Sequence, residues 1–228
     1  MHKLLSYHYI YLIPLTLSSL VSLRAFRLEW LRPYRIFSLF LITSLMIEAF
    51  AISWKWGLHQ TAFWNFPASN IWIYNIFMLV QLLFLAAGYN RLLGAGRPRK
   101  LIRAGWIPLI LFGIADFFYF QGPGVLNNLT IILYYLIFVL LALAFFYQVL
   151  HAKELVSLVS HPGVWISLGI FIYYSVALPY CIFLPYLVRQ NLSLAVVLFN
   201  INVALDTLMY SLYLISFLCK PRFLKSAS

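Results

Sequence analysis

The chain has 228 residues, of which 64% are hydrophobic and only 9% charged, and its mean hydropathy is +0.92. Water-soluble domains carry about 25% charged residues, so this composition cannot cover itself with a polar surface and excludes a soluble globular domain. The formal net charge of +11 invites a nucleic-acid partner, but no nucleic-acid motif and no soluble domain accompany it.

Long apolar runs separated by short polar breaks predict transmembrane helices. Seven are predicted, over 4–23, 36–54, 70–90, 101–120, 127–149, 163–188 and 193–218. They fill most of the chain, so residues 1–228 read as one all-α, seven-helix transmembrane domain.

The first run, within "MHKLLSYHYIYLIPLTLSSLVSLRAFR", has one lysine before it and no Ala-x-Ala-like site after it. A retained first helix is expected rather than a cleaved signal. Arg24, Arg27, Arg32 and Arg35 follow it. Helix two carries Ser44 and, one turn later, Glu48. The next connection, "KWGLHQTAFWNFPAS", is rich in aromatic residues, and Trp54, Trp56, Trp64 and Trp72 gather around it as interface anchors would. Trp30 and Trp106 are expected at the opposite interface. Helix three places Tyr74 and Gln81 seven apart, on one face. Arg91, Arg97, Arg99, Lys100 and Arg103 flank the third connection. Asp116, near the far end of helix four, is expected to reach water.

Lys153 lies between helices five and six. Helix six contains Tyr173, Tyr174 and Tyr180, and its "LPYCIFLPY" repeats Leu-Pro-Tyr at 178–180 and 184–186. Each proline removes a backbone donor, so either a kink or an end near Pro185 is expected. Helix seven, within "FNINVALDTLMYSLYLISF", places Asn202, Asp206, Tyr210 and Tyr213 on one stripe, with Asn200 on another face. Lys220, Arg222 and Lys225 close the chain.

Thirteen basic residues thus fall on one side, against Lys3, Lys55 and Arg189 on the other. Basic residues flanking spans stay cytoplasmic, which predicts an outside N-terminus, an inside C-terminus and contact between the basic loops and anionic lipid headgroups. The two cysteines, Cys181 and Cys219, are expected toward opposite ends of their helices and unpaired. His2, His8, His59, His151 and His161 lie in or near loops without metal-site spacing, so neither cofactor nor metal is expected.

Helices one to three overlay on five to seven with a constant shift of 125 residues. Asn75 falls on Asn200, Gln81 on Asp206, Glu29 on Glu154 and Tyr9 on Tyr134. The overlay suggests a parallel three-plus-one-plus-three repeat, a plan known in transporters whose sites lie between the halves.

A charge at the bilayer centre costs on the order of 3 kcal/mol on insertion scales. Glu48 and Asp206 are therefore expected to face inward, Glu48 beyond the midplane toward the outside and Asp206 on the inner side of it. Glu48, Gln81, Tyr173, Asn202, Asp206 and Tyr210 form the predicted ligand- or proton-binding set, shared by helices two, three, six and seven. The plainer reading of such groups is interhelical hydrogen bonding, worth about 0.6 kcal/mol each.

Seven helices with an outside N-terminus are similar to microbial rhodopsins, but helix seven lacks the lysine that retinal requires. Sugar-carrying three-plus-one-plus-three proteins share the topology, yet the Pro-Gln pair of the PQ-loop family is absent. "NIWIYNIFMLVQLLF", "HPGVWISLGIFIYYS" and "NINVALDTLMYSLYLISFLC" resemble segments of seven-helix integral membrane proteins of Bacteroidota with no established activity. Members of that family often look like accessories to sensor kinases, which implies a signalling role and a signalling protein partner.

The sequence reading is thus a non-enzymatic multi-pass protein of a bacterial inner membrane. Its leading function is sensing or signalling through a polar core that binds a small ligand or proton. The alternative is a small-solute or proton-coupled transporter using Glu48 and Asp206. No catalytic residue is predicted, because no nucleophile–base pair or phosphate loop is visible.

Overall fold

The structure, a computed structural model, describes residues 9–60, 69–94, 97–151 and 158–220, with only the backbone of residues 97, 98, 101 and 102. His2, Lys3, His8, Trp64, Lys153, Glu154, Arg222 and Lys225, and the side chain of Arg97, lie outside the described residues.

Apolar sequence forms helix throughout, because lipid offers no partner for a free backbone N–H or C=O. The helices are α1 (Leu12–Ser22), α2 (Arg35–Trp56), α3 (Ile71–Leu92), α4 (Arg97–Ala115), α5 (Asn128–Leu150), α6 (Pro162–Gln190) and α7 (Leu192–Leu218). No strand occurs among the described residues. Among the described residues, six helices are long and apolar enough to cross a membrane. The first predicted span needs correction: residues 9–11 form a turn and the helix begins only at Leu12, running as α1 with a 3₁₀ continuation to Phe26, which is shorter than the other spans.

Local chemistry sets the ends. Pro162 opens α6 at its first position, where a missing N–H costs nothing. The Asn191 side chain accepts from the Leu194 N–H at 3.0 Å and caps α7. Only Asn191 separates α6 from α7. The helix therefore does not stop at Pro185, and both Pro179 and Pro185 lie within it.

Six helices close a ring in the order α1, α2, α3, α5, α6, α7 and back to α1, while α4 packs outside against α3 and α5. Small groups allow close approach: at Gly88 an added Cβ would lie 2.6 Å from Phe37 Cε2. Serines join α1 to α2. Ser22 and Ser38 hydroxyls meet at 2.9 Å, and Ser19 donates to the Leu41 carbonyl at 3.1 Å.

The connection after α1 and the described parts of those after α3 and α5 lie at one end of the bundle with the close of α7. Gln148 accepts from Gly94 N–H, and the Cys219 thiol donates to the Val159 carbonyl. We call this the basic end, since Arg24, Arg27, Arg32, Arg35, Arg99, Lys100 and Arg103 belong to it. The half of the ring toward it is filled by Phe40, Phe145, Tyr213 and Phe217, with Phe138 and Tyr174 at mid-depth, all buried.

Two further expectations need correction. Asp116 does not reach water: it is fully buried in a π-helical turn over Asp116–Phe120 that ends α4. Its Oδ2 accepts from the Thr130 hydroxyl at 2.6 Å and the Thr130 N–H at 3.2 Å, and Gln121 donates to both oxygens. A carboxylate is cheap there because it caps the start of α5. Trp54 and Trp72 are not interface anchors; they are buried and stack edge-to-face at 5.1 Å, while Trp56 is exposed. Asn75 and Asn200, paired by the overlay, differ in role. Asn75 is buried and bonds Val125 and Asn127 across to the α4–α5 connection, whereas Asn200 is exposed.

Candidate functional site

Away from the basic end the ring does not fill. A cavity of about 800 Å³ runs from mid-bundle toward the α2–α3 and α6–α7 connections, within the range of about 300–1,000 Å³ common for small-ligand sites. Glu48, Gln81, Tyr173, Asn202, Asp206 and Tyr210 all line it. Four helices supply them: Glu48 from α2, Gln81 from α3, Tyr173 from α6, and the other three from one stripe of α7.

The expected difference in depth between the two acids needs correction. Counted from the basic end, Glu48 lies thirteen positions into α2 and Asp206 twelve positions from the end of α7. At ~1.5 Å per residue both stand about 18–20 Å from that end, and Gln81 and Tyr173 stand within a turn of that depth. The difference reflects helix length: α7 has 27 residues and α2 has 22, so equal distances from the basic end are unequal distances from the other end.

The acids are held differently. Glu48 Oε2 accepts from the hydroxyls of Tyr11 at 2.9 Å and Tyr74 at 3.1 Å, so its charge or dipole is shared with two neighbours. Asp206, half-buried, receives one long bond of 3.4 Å from Asn202 Nδ2, which also reaches the Tyr173 hydroxyl at 3.4 Å. Asp206 thus retains accepting capacity toward the cavity. Gln81 donates to the Tyr174 hydroxyl and ties α3 to α6. The Ser44 hydroxyl bonds back to the Phe40 carbonyl and takes no part.

Tyrosine rings wall the cavity. Tyr135 meets Tyr173 at 6.2 Å and Tyr174 at 4.7 Å between centroids. Tyr9, Tyr11, Tyr74, Tyr180 and Tyr210 complete the lining, and Lys55 sits at the rim. Two carboxyls, many ring faces and hydroxyls, and a single peripheral lysine among the described lining residues form a surface that favours cations and hydrogen-bonding solutes over anions. Among the described residues no three of His, Cys, Asp and Glu gather as a metal site.

Sequence reasoning missed Tyr9, Tyr11, Lys55, Tyr135 and Cys181 as lining residues. Each lies on a helix or terminus whose neighbours are set by ring order, which spacing within one helix does not encode.

No family model matches the chain, and no solved structure matches it. Over 125 residues, 54% of the chain, it is 30% identical to an Arabidopsis thaliana protein described as a probable folate-biopterin transporter. The match covers 28% of that protein, so the chain spans little more than a quarter of the relative it matches. The likeness concerns a transporter; it lends nothing to sensing.

Proposed function

We propose that the protein is a multi-pass membrane carrier for a small organic solute, in which Glu48 and Asp206 bind solute or proton. One observation carries this reading: two carboxyls from α2 and α7 line a single cavity at matching depth. The cavity reaches toward one end of the bundle, while buried aromatics fill the other. A site occluded on one side is what a carrier presents in one of its alternating states. The transporter relative adds support. Sensing, the leading expectation from sequence, draws on no observation that transport does not use equally.

The basic connections gather at one end, which supports placing that end in the cytoplasm, with the N-terminus outside and the C-terminus inside. Anionic headgroups are the partners this end favours, and the Bacteroidota resemblance supports a bacterial inner membrane. The ring order pairs α1–α2–α3 with α5–α6–α7, and Gln81 and its overlay counterpart Asp206 both line the cavity. Both facts favour a parallel three-plus-one-plus-three repeat. We assign no catalysis to the cavity.

The test is flux. Purified protein in proteoliposomes with an imposed pH gradient should take up a labelled solute, with biopterin, a neutral hydrogen-bonding molecule, as first probe, or should pass protons to an interior pH dye. Asp206→Asn should abolish either signal. Absence of solute and proton flux in the unaltered protein defeats the reading.

A further inference from the structure

The cavity has a neighbour. On the lipid-facing side of the α6–α7 pair lies a separate groove of about 370 Å³. Its walls include Val176, Phe183, Leu187, Leu198, Ile201 and Leu205, and they are almost wholly apolar. Val176, Phe183 and Ile201 are each exposed on this face, 47%, 58% and 45% respectively. Tyr180 and Asn202 line both the groove and the central cavity, so these two side chains form the partition between lipid and Asp206.

The partition is thin and weakly fastened. The amide of Asn202 makes two 3.4 Å contacts, to Tyr173 and Asp206, at the long limit for hydrogen bonds. Its α6 wall carries Pro179, which lines the groove, and Pro185 one and a half turns later. Prolines at these places deprive the carbonyls of Ser175 and Cys181 of their helical donors, so this stretch of α6 yields more readily than an unbroken helix. The groove is apolar, while the chamber behind it is acidic and aromatic. A ligand spanning both needs a cationic group on an apolar body.

We propose that groove and cavity form one site for a lipophilic amine, which enters from the bilayer between α6 and α7 and places its cationic nitrogen at Asp206. Apolar mass fills the groove, Asn202 turns aside, and the tyrosine faces receive the cation. This assignment rests on the carrier reading for its physiological sense, yet binding is measurable without transport.

The experiment uses the full chain in nanodiscs, with tritiated decyltrimethylammonium as probe and empty nanodiscs as the blank. Saturable binding above the blank is expected, with tetramethylammonium displacing the probe at least about tenfold less effectively because it lacks the chain. Asp206→Asn should weaken probe binding by about tenfold or more, as expected when one side of a charge pair is removed. Ile201→Trp, at an exposed position that leaves the core untouched, should obstruct the groove. It should lower affinity for the long-chain cation while sparing tetramethylammonium. Absence of saturable binding, equal displacement by decyl sulfate, or an Ile201→Trp protein with unchanged affinity overturns the proposal. Binding without flux of any solute would defeat the carrier reading alone, and flux without alkylammonium binding would defeat this inference alone.

Discussion

Tyr11 donates its hydroxyl to Glu48 Oε2 at 2.9 Å, joining positions 37 apart in sequence and fixing the approach to α1 against the middle of α2. Tyr74 donates to the same oxygen from α3. One acid therefore ties three successive elements of the ring. In a medium with little water, a carboxyl deprived of donors costs free energy, whereas each bond retained is worth only a modest amount.

Tyr11→Phe and Tyr74→Phe should each lower stability by about 1 kcal/mol. The double variant should lose more than the two together, because Glu48 then keeps neither donor. Thermal unfolding in mild detergent measures this. Additive or smaller losses would show that Glu48 is satisfied from elsewhere.

Asp116 supplies a second stability test. Asp116→Ala removes the acceptor for Thr130 and Gln121 and leaves the start of α5 uncapped, at a cost of about 1–2 kcal/mol. Asp116→Asn keeps one acceptor oxygen and should lose clearly less. Solute or proton flux should survive Asp116→Asn, since Asp116 does not line the cavity.

His161, just ahead of α6, gives a pH dependence. Burial beside the Phe145 ring, 5.9 Å between centroids, holds its imidazole below the ordinary value. The fold therefore favours the neutral ring. Well above pH 6.5 both folded and unfolded chains are neutral there, and the full stability is present. As pH falls through about 6.5 the unfolded chain gains a proton that the folded chain resists, and stability declines. Melting temperature should fall between about pH 7.5 and 5.5, and His161→Gln should flatten that part of the profile.

The cysteines report orientation. Cys219 is half-buried at the basic end, and Cys181 lines the cavity. In intact cells, Cys181→Ala protein, which keeps Cys219, should react with a membrane-permeant maleimide and resist an impermeant one. Labelling of Cys219 by the impermeant reagent would reverse the topology. Cys219→Ala protein, which keeps Cys181, should be protected from a small permeant thiol reagent by any ligand that fills the cavity.

Much of the architecture was legible before the fold. Apart from the first run, whose helix begins only at Leu12, the apolar runs gave helices whose ends agree within about five residues, because each helix satisfies its own backbone in lipid and needs no partner to exist. The stripe of Asn202, Asp206 and Tyr210 was equally legible, since a helix fixes which side chains share a face. The inward placement of Glu48 followed from the cost of exposing an acid to hydrocarbon.

The sequence by itself determined the solvent, the helices and the few polar groups they must hide, because hydropathy and helical period are local properties. Only the tertiary structure decided that α1 closes against α7, that Glu48 and Asp206 share one depth and one cavity, and that Asp116 is a buried cap. It alone also set the Trp54–Trp72 pair inside and left a groove beside Asn202. Those outcomes depend on which helix stands next to which, a matter of packing between distant segments that no run of neighbouring residues encodes.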